Sequence, residues 1–383
     1  MADTSRRAVK ISQIIRFRPV RLLVDNVGLF NEQFSLDFID KGGTPTNLFL
    51  LAAPNGLGKT TLLTTFAAVF KCFVGFDGTF RQEDLNSGRG YAQLDIIADV
   101  KINDRTVRLG LSACCGRKYE PVDWSKIDLN PDLNDQIEEY SIIHFRHGSR
   151  LPEADDYGKA LLGVLESSVD ARPERLWDDQ HILPTVLFFP ATRRLIRPPE
   201  EDKALIPPPN LGYQPLQVFE DDGSNWANSL NNLLLWLEWM DDDRYQALQD
   251  LVEQSVLTDS KRPKELGSVN RATLTPRIFN KFGDSHRPDR LSHGERSLLQ
   301  ILTRMATHMT GETLVLIDEL ELHLHPNWAI GLLKTLKNIV ATRSVSVIFT
   351  THSPEIIRLF AHDEEEQFLQ KGGHIISREE LDA

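Results

Sequence analysis

Two kinds of hydrophobic pattern alternate along the chain. Asn47–Ala52 (NLFLLA) is almost unbroken in its apolar character and runs into Pro54-Asn55-Gly56, as expected of a parallel strand buried on both faces that feeds a loop. Thr313–Ile317 (TLVLI) has the same character and ends in two acids, Asp318 and Glu319. Alternating runs over Tyr91–Ile102 and Arg105–Ser112, joined at Asn103-Asp104, predict a β-hairpin. Arg21–Phe30 and Gln33–Phe38, separated by Asn31-Glu32, predict another. Helical spacing marks Thr60–Phe73, Asn225–Met240 and Arg244–Leu257, the last two divided by Asp241–Asp243. Val186–Ile196 (VLFFPATRRLI) reads as a strand followed by an arginine-bearing loop, and Val269–Phe279 as a further strand.

Composition narrows the class. The chain has 383 residues, 41% of them hydrophobic, enough for one large core or two smaller ones. A formal net charge of -12 argues against a general nucleic-acid binder, which needs clustered Lys and Arg. The first stretch is locally basic (Arg6, Arg7, Lys10, Arg16, Arg18 and Arg21 against Asp3) and reads either as a basic patch or as a solvated, partly disordered terminus. The three cysteines, Cys72, Cys114 and Cys115, lack C-x-x-C spacing and imply neither zinc nor a disulfide framework. Met1–Lys10 is polar and opens no signal peptide, and the longest helical apolar run, Leu233–Met240, contains Glu238. A soluble, cytoplasmic protein without membrane contact is the expectation.

Ala53-Pro54-Asn55-Gly56-Leu57-Gly58-Lys59-Thr60-Thr61 matches the phosphate-binding pattern G-x-x-x-x-G-K-[ST], with Ala53 in place of the first glycine. Gly56 and Gly58 let consecutive backbone N–H groups turn toward phosphate oxygens, and the following helix adds its positive end. Lys59 would reach the β- and γ-phosphates, and the Thr60 hydroxyl would ligate Mg2+. At the other acidic strand end, Asp318 would hold Mg2+ and Glu319 would polarise the attacking water. Buried strands do not end in paired acids unless something positive meets them. Leu291-Ser292-His293-Gly294-Glu295-Arg296 precedes an apolar-periodic helix and reads at least as a helix N-cap with Glu295 as capping-box partner.

These elements, followed by Thr350-Thr351-His352-Ser353-Pro354, come in an order that resembles the ABC ATPase family over about residues 20–115 and 269–360. The resemblance implies an α/β P-loop nucleotide-binding fold with an antiparallel β subdomain. Residues 1–120 and 269–383 would form its two halves, interrupted by a mostly helical insertion over 121–268. It further implies ATP as substrate with Mg2+, and nucleotide contacts from Asn55, Gly56, Gly58, Lys59, Thr60 and Thr61. Ser292, Gly294 and Glu295 would form a signature motif acting on ATP held by a second copy in a homodimeric sandwich, and His352 would be the switch that contacts the γ-phosphate. The Gly-Glu ending of the signature, the run Leu320–Pro326 after the acids, and the Thr-His-Ser-Pro switch resemble the RecF-, OLD- and SMC-related branch. That branch includes ATPase subunits of anti-phage systems such as Septu.

Departures from the branch are also legible. Gln82 and Gln93 are weak candidates for a Q-loop glutamine, and Arg193 or Arg194 could sense phosphate or form surface ion pairs. His323 and His325 have i, i+2 spacing that could suit a metal but fall in the family's D-loop region. No sustained heptads announce an SMC coiled coil. About 29 residues follow Pro354, too few for the Toprim domain of OLD proteins, and no H-N-H constellation is evident. Nucleic-acid cleavage is therefore expected from a partner protein. A chromosome-maintenance ATPase that clamps DNA itself, or a sensor that binds ATP without hydrolysing it, are the alternatives.

Overall fold

The computed structural model describes residues 9–74, 90–116, 119–127, 136–146, 149, 151–169, 183–195, 204–209, 211, 213–222, 225–255, 257, 264–362 and 370–381. Its centre is a parallel sheet of six strands: β3 (Leu48–Ala52), β8 (Pro184–Phe189), β10 (Leu216–Val218), β15 (Glu312–Ile317), β16 (Val345–Thr351) and β17 (Lys371–Ile375), in the order β10-β8-β15-β16-β3-β17. Alternate residues of the inner strands serve two different cores. Phe49, Leu51, Val186, Phe188, Leu314, Leu316 and Ile348 face one. Leu48, Leu50, Leu187, Phe189, Val315, Ile317, Val347 and Phe349 face the other. That double burial is why these strands read as continuous apolar runs.

The first core lies between this sheet and a second one, with α1 (Lys59–Lys71) and α2 (Asp156–Val169) packed against it. The second sheet comprises β1 (Ile11–Asp25), β2 (Phe34–Asp37), β4 (Tyr91–Ile102), β5 (Arg105–Cys115), β6 (Glu139–Phe145) and β7 (Glu153–Ala154), ordered β2-β1-β4-β5-β6-β7. All its pairings are antiparallel except β5 with β6. On the other side of the parallel sheet the second core is closed by α3 (Leu230–Met240), α4 (Arg244–Glu253), α5 (His293–His308), α6 (Pro326–Thr342) and α7 (Pro354–His362). Smaller pieces complete the molecule: β9 (Arg194–Leu195) beside β11 (Asp221–Asp222), a three-stranded sheet of β12 (Lys264–Asn270), β13 (Thr275–Asn280) and β14 (Ser285–His286), and the short α8 (Arg378–Leu381).

The β4–β5 hairpin turns where the sequence places it, with positive φ of 49° at Asn103 and 64° at Asp104. The first hairpin differs. β1 does pair antiparallel with β2, but it ends at Asp25, because Asn26 and Gly28 take positive φ and Val27 bridges Phe30 in a tight turn directly before Asn31-Glu32. The basic N-terminal stretch is neither loose nor unpaired over its described part. It forms β1, where Arg21 bonds Asp95 at 2.6 Å and Arg16 lies 3.6 Å from Asp99. Arg6 and Arg7 fall outside the described residues.

Residues 121–268, expected to be mostly helical, are mixed. They hold α2, α3 and α4, but also β6 in the antiparallel sheet and β8 and β10 in the parallel one. β8 contains the strand the sequence reads from Val186, and it lies inside the parallel sheet between β10 and β15. Val269–Phe279 is not one strand but spans the β12–β13 turn. There the Asn270 side chain accepts from the N–H groups of Ala272 and Thr273, and Leu274 has a φ of 46°. Cys72 and Cys115 meet as buried free thiols, their sulfurs 3.9 Å apart. No helix among the described residues is long and apolar enough to cross a membrane.

Candidate functional site

Three neighbouring parallel strands, β15, β16 and β3, end together, and each continues into one of the sequence motifs. Asp318 and Glu319 follow β15, Thr350 and Thr351 close β16 ahead of His352, and the glycine-rich loop leaves β3. Carboxyl ends of parallel strands are where open α/β sheets bind ligands.

The loop residues Gly56 and Gly58 have φ of 80° and 84°, the left-handed region that glycine enters without penalty. A side chain at Gly58 would also collide with the Phe30 ring, which lies 2.6 Å from an added Cβ. The turn that ended β1 early thus forms a wall under the loop. Gly28, in the same turn, sits against Thr61. Asn55, Gly56 and Thr60 are exposed at the mouth, while Lys59 is buried. The Lys59 ammonium folds back on its own loop, donating to the carbonyls of Ala53 at 2.7 Å and Pro54 at 3.2 Å.

Opposite the loop, the fully buried Asp318 carboxylate is shared between two hydroxyls. Thr60 Oγ1 donates to Oδ2 at 2.6 Å and Thr350 Oγ1 to Oδ1 at 2.6 Å. Thr350 Oγ1 in turn accepts the Glu319 N–H at 2.8 Å. Glu319 has a φ of 51°, a strained conformation for a residue with a side chain. Its backbone is held from both sides, by Thr350 on the N–H and by Arg193 Nη2 on the carbonyl at 2.9 Å. Arg193 Nη1 donates to the carbonyls of Asp318 at 2.7 Å and Pro190 at 3.1 Å.

Arg193 is only 2% exposed, so it is neither a surface ion pair nor, in this arrangement, aimed at a phosphate; it clamps the acidic turn. Burial pulls its guanidinium down to about 10, with Asp318, Glu319 and Glu321 pulling it up, and it stays charged at neutral pH. Arg194 beside it is exposed.

Sequence reasoning missed Glu321. Its Oε2 accepts from Thr351 Oγ1 at 2.7 Å, and its Oε1 accepts from the His352 N–H at 2.9 Å and lies 3.3 Å from His352 Nδ1. The signal was present as a second acid two positions after Glu319.

The signature residues form a separate feature at the start of α5. Ser292 caps the helix, and Glu295 completes a capping box, with Ser292 N–H donating to Glu295 Oε2 at 2.7 Å and Glu295 N–H to Ser292 Oγ at 3.3 Å. Glu295 Oε1 also meets Lys264 Nζ at 2.7 Å. Burial raises the Glu295 carboxyl, but the hydrogen bonds from Lys264 and Ser292 outweigh it and hold it below the usual carboxylate range. Glu295 therefore points inward, whereas Ser292 is exposed and Gly294 half-buried. None of the hydrogen bonds of Ser292–Glu295 among the described residues reaches the glycine-rich loop.

Gly294 instead lies against the backbone of His323 and Leu324, and the His293 ring meets the His323 ring edge-on at 5.0 Å. His325 caps α6, its Nδ1 accepting from the Asn327 N–H, so the two histidines of the i, i+2 pair have separate structural jobs. Gln93 is fully buried, with its amide bonded to Asp95 and to the backbone of Glu120, and Gln82 lies outside the described residues.

A protein-family description, "AAA domain, putative AbiEii toxin, Type IV TA system", matches residues 54–358. Among curated proteins, "Retron Ec83 probable ATPase" of Escherichia coli is 32% identical over 94 residues, which are 22% of this chain and 17% of the relative. "Septu protein PtuA" of Bacillus thuringiensis is 43% identical over 53 residues, 14% of this chain and 13% of the relative. The matches thus span less than a fifth of either relative's length. Among solved structures, the SMC head domain from Thermotoga maritima aligns over 89% of this chain and 91% of its own, at 10% identity and a TM-score of 0.40.

Proposed function

The chain belongs to the AAA-domain family described above, a P-loop ATPase of the AAA/SMC/defence group, and from that premise we propose that it binds and hydrolyses ATP as a switch that governs a partner effector. The observation that carries the reading is the hydrogen-bonded chain Thr60–Asp318–Thr350–Glu319, which ties three adjacent strand ends into one site.

In this reading the loop N–H groups and Lys59 receive the phosphates, Lys59 exchanging its own loop carbonyls for phosphate oxygens. Asn55, Gly56, Gly58 and Thr61 line that cradle. The meeting of a hydroxyl and a carboxylate at Thr60 and Asp318 is an all-oxygen donor pair suited to Mg2+, which these two residues would hold. When bound, the ion would neutralise charge that develops on the phosphate oxygens. Glu319, with its backbone fixed by Arg193 and Thr350, is the general base that orients and deprotonates the attacking water. His352 contacts the γ-phosphate.

Ser292, exposed, and Gly294, half-buried, lie at the positive end of a helix and suit the γ-phosphate of ATP bound to a second copy. ATP would then close a homodimer and hydrolysis would open it. The defence-system names of the relatives favour a partner effector such as a nuclease. The described N-terminal arginines lie against Asp95 and Asp99 and lend no support to a DNA-clamping reading.

The test is sedimentation of Glu319→Gln, which should bind ATP without turning it over. Mg-ATP should convert it to a dimer and ADP should not, and Ser292→Arg should abolish the dimer. A monomer at saturating Mg-ATP removes the sandwich. Failure of every genetically neighbouring protein to associate in either nucleotide state removes the effector.

A further inference from the structure

The Glu321 carboxylate joins two loops that approach the nucleotide site from different strands. It follows β15 by way of the acidic turn, yet both its oxygens are engaged by the end of β16: Thr351 Oγ1 on one, the His352 N–H and Nδ1 on the other. Its own loop is braced in place. The Leu320 N–H donates to the Thr350 carbonyl at 2.9 Å, and the Leu324 N–H donates to the Glu321 carbonyl at 2.8 Å. Glu321 is mostly buried (16% side-chain exposure), whereas His352 is more open at 41%. A carboxylate fixed at the back of a partly open imidazole decides which ring nitrogen faces outward.

We infer that Glu321 is the positioning residue of His352: its carboxylate accepts a hydrogen bond from Nδ1–H, keeps that proton on Nδ1, and turns Nε2 toward the nucleotide. The inference rests on the ATPase reading of the site. The groups around the pair are consistent with it. Arg193, on the loop after β8, holds the acidic turn that leads into Glu321 through the carbonyls of Asp318 and Glu319. The Ser353 N–H donates to Thr351 Oγ1 at 3.0 Å, so the hydroxyl that anchors Glu321 is itself held in orientation. With Oε1 accepting the His352 N–H and lying 3.3 Å from Nδ1, the histidine is tied to the acidic turn. A shift of Glu319 would therefore be transmitted to the switch histidine through two residues of chain.

The experiment reads the histidine directly and then the turnover. In nucleotide-free protein labelled with 15N-histidine, the neutral His352 ring should carry its proton on Nδ1, the minor tautomer of free imidazole in water. Glu321→Ala should return it to Nε2, and Glu321→Gln, which keeps an acceptor at the same place, should retain Nδ1. Glu321→Ala should lower kcat by about 10- to 100-fold, the range typical of an orienting partner to a functional histidine, with KM for ATP little changed. The double variant Glu321→Ala, His352→Ala should be no slower than His352→Ala alone. Hydrolysis by the wild type with an unchanged tautomer and unchanged kcat in Glu321→Ala overturns this inference alone. Absence of hydrolysis by the wild type overturns the reading of the site beneath it.

Discussion

Thr60 and Asp318, 258 positions apart in sequence, meet at 2.6 Å through a hydroxyl-to-carboxylate hydrogen bond. One sits at the first turn of α1 and the other at the end of β15. The intervening strand β16 supplies the third member, Thr350, whose hydroxyl bonds the other Asp318 oxygen. A buried carboxylate needs such partners, because an unpaired ionised group inside a protein costs several kcal/mol.

This pair predicts how Mg2+ enters the site. Thr60→Val keeps the side-chain shape and removes the hydroxyl. ATP affinity in the presence of Mg2+ should fall about 10-fold, the loss of one charge-assisted interaction. With the metal chelated by EDTA, wild type and variant should bind ATP equally weakly. Calorimetric titration under both conditions checks this; equal affinities in Mg2+ would detach Thr60 from the metal.

Arg193 supports the acidic turn with three hydrogen bonds to buried or partly buried carbonyls. Arg193→Ala removes the donor of the buried Asp318 carbonyl, leaving the Glu319 and Pro190 carbonyls with only the backbone N–H groups of Leu322 and of residue 193, and should destabilise the fold by about 1–3 kcal/mol in urea unfolding. Lysine cannot reproduce the fork, so Arg193→Lys should recover only part of the loss. A change within about 0.5 kcal/mol for the alanine variant would mean the turn holds itself.

Much of this was legible beforehand, for identifiable reasons. β3 and β15 are buried on both faces, so their runs are apolar throughout and their polar ends stand out. The roles of Arg193 and Glu321 were not legible. Each acts by contacting a segment far away in sequence or across a neighbouring strand, and strand order cannot be read from spacing. β8 is legible as a strand from Val186 onward, but its place between β10 and β15 is not, because strand order cannot be read from spacing. The capping box at Ser292 and Glu295 was legible because it is local, closing within four residues.

At the opposite end of β15, Glu312 accepts the Phe17 N–H at 3.0 Å where the two sheets meet. Burial pushes its carboxyl up from 4.5 to about 7, against the pull of the Phe17 N–H, Arg18 and Arg16, while Asp99 adds to the rise. The folded state thus holds a proton that the unfolded chain releases at lower pH. Glu312 imposes no penalty below about pH 4.5, and stability falls as pH rises through the window to about 7. Glu312→Gln should match the wild type near the lower edge of that window. Above its upper edge the variant should be more stable, by up to about 2–3 kcal/mol. Chemical denaturation at the two pH values checks this, and a difference independent of pH would contradict the shift.

The central claim is hydrolysis by Glu319 in a Thr60–Asp318 metal site fed by Lys59. It is tested most directly by steady-state phosphate release from Mg-ATP, comparing wild type, Glu319→Gln and Lys59→Ala. Wild type should turn over. Glu319→Gln should bind ATP yet release phosphate at least about 100-fold more slowly, in line with the loss of a general base. Lys59→Ala should neither bind nor turn over. Equal rates for wild type and Glu319→Gln, both above the Lys59→Ala blank, would contradict the assignment of the base.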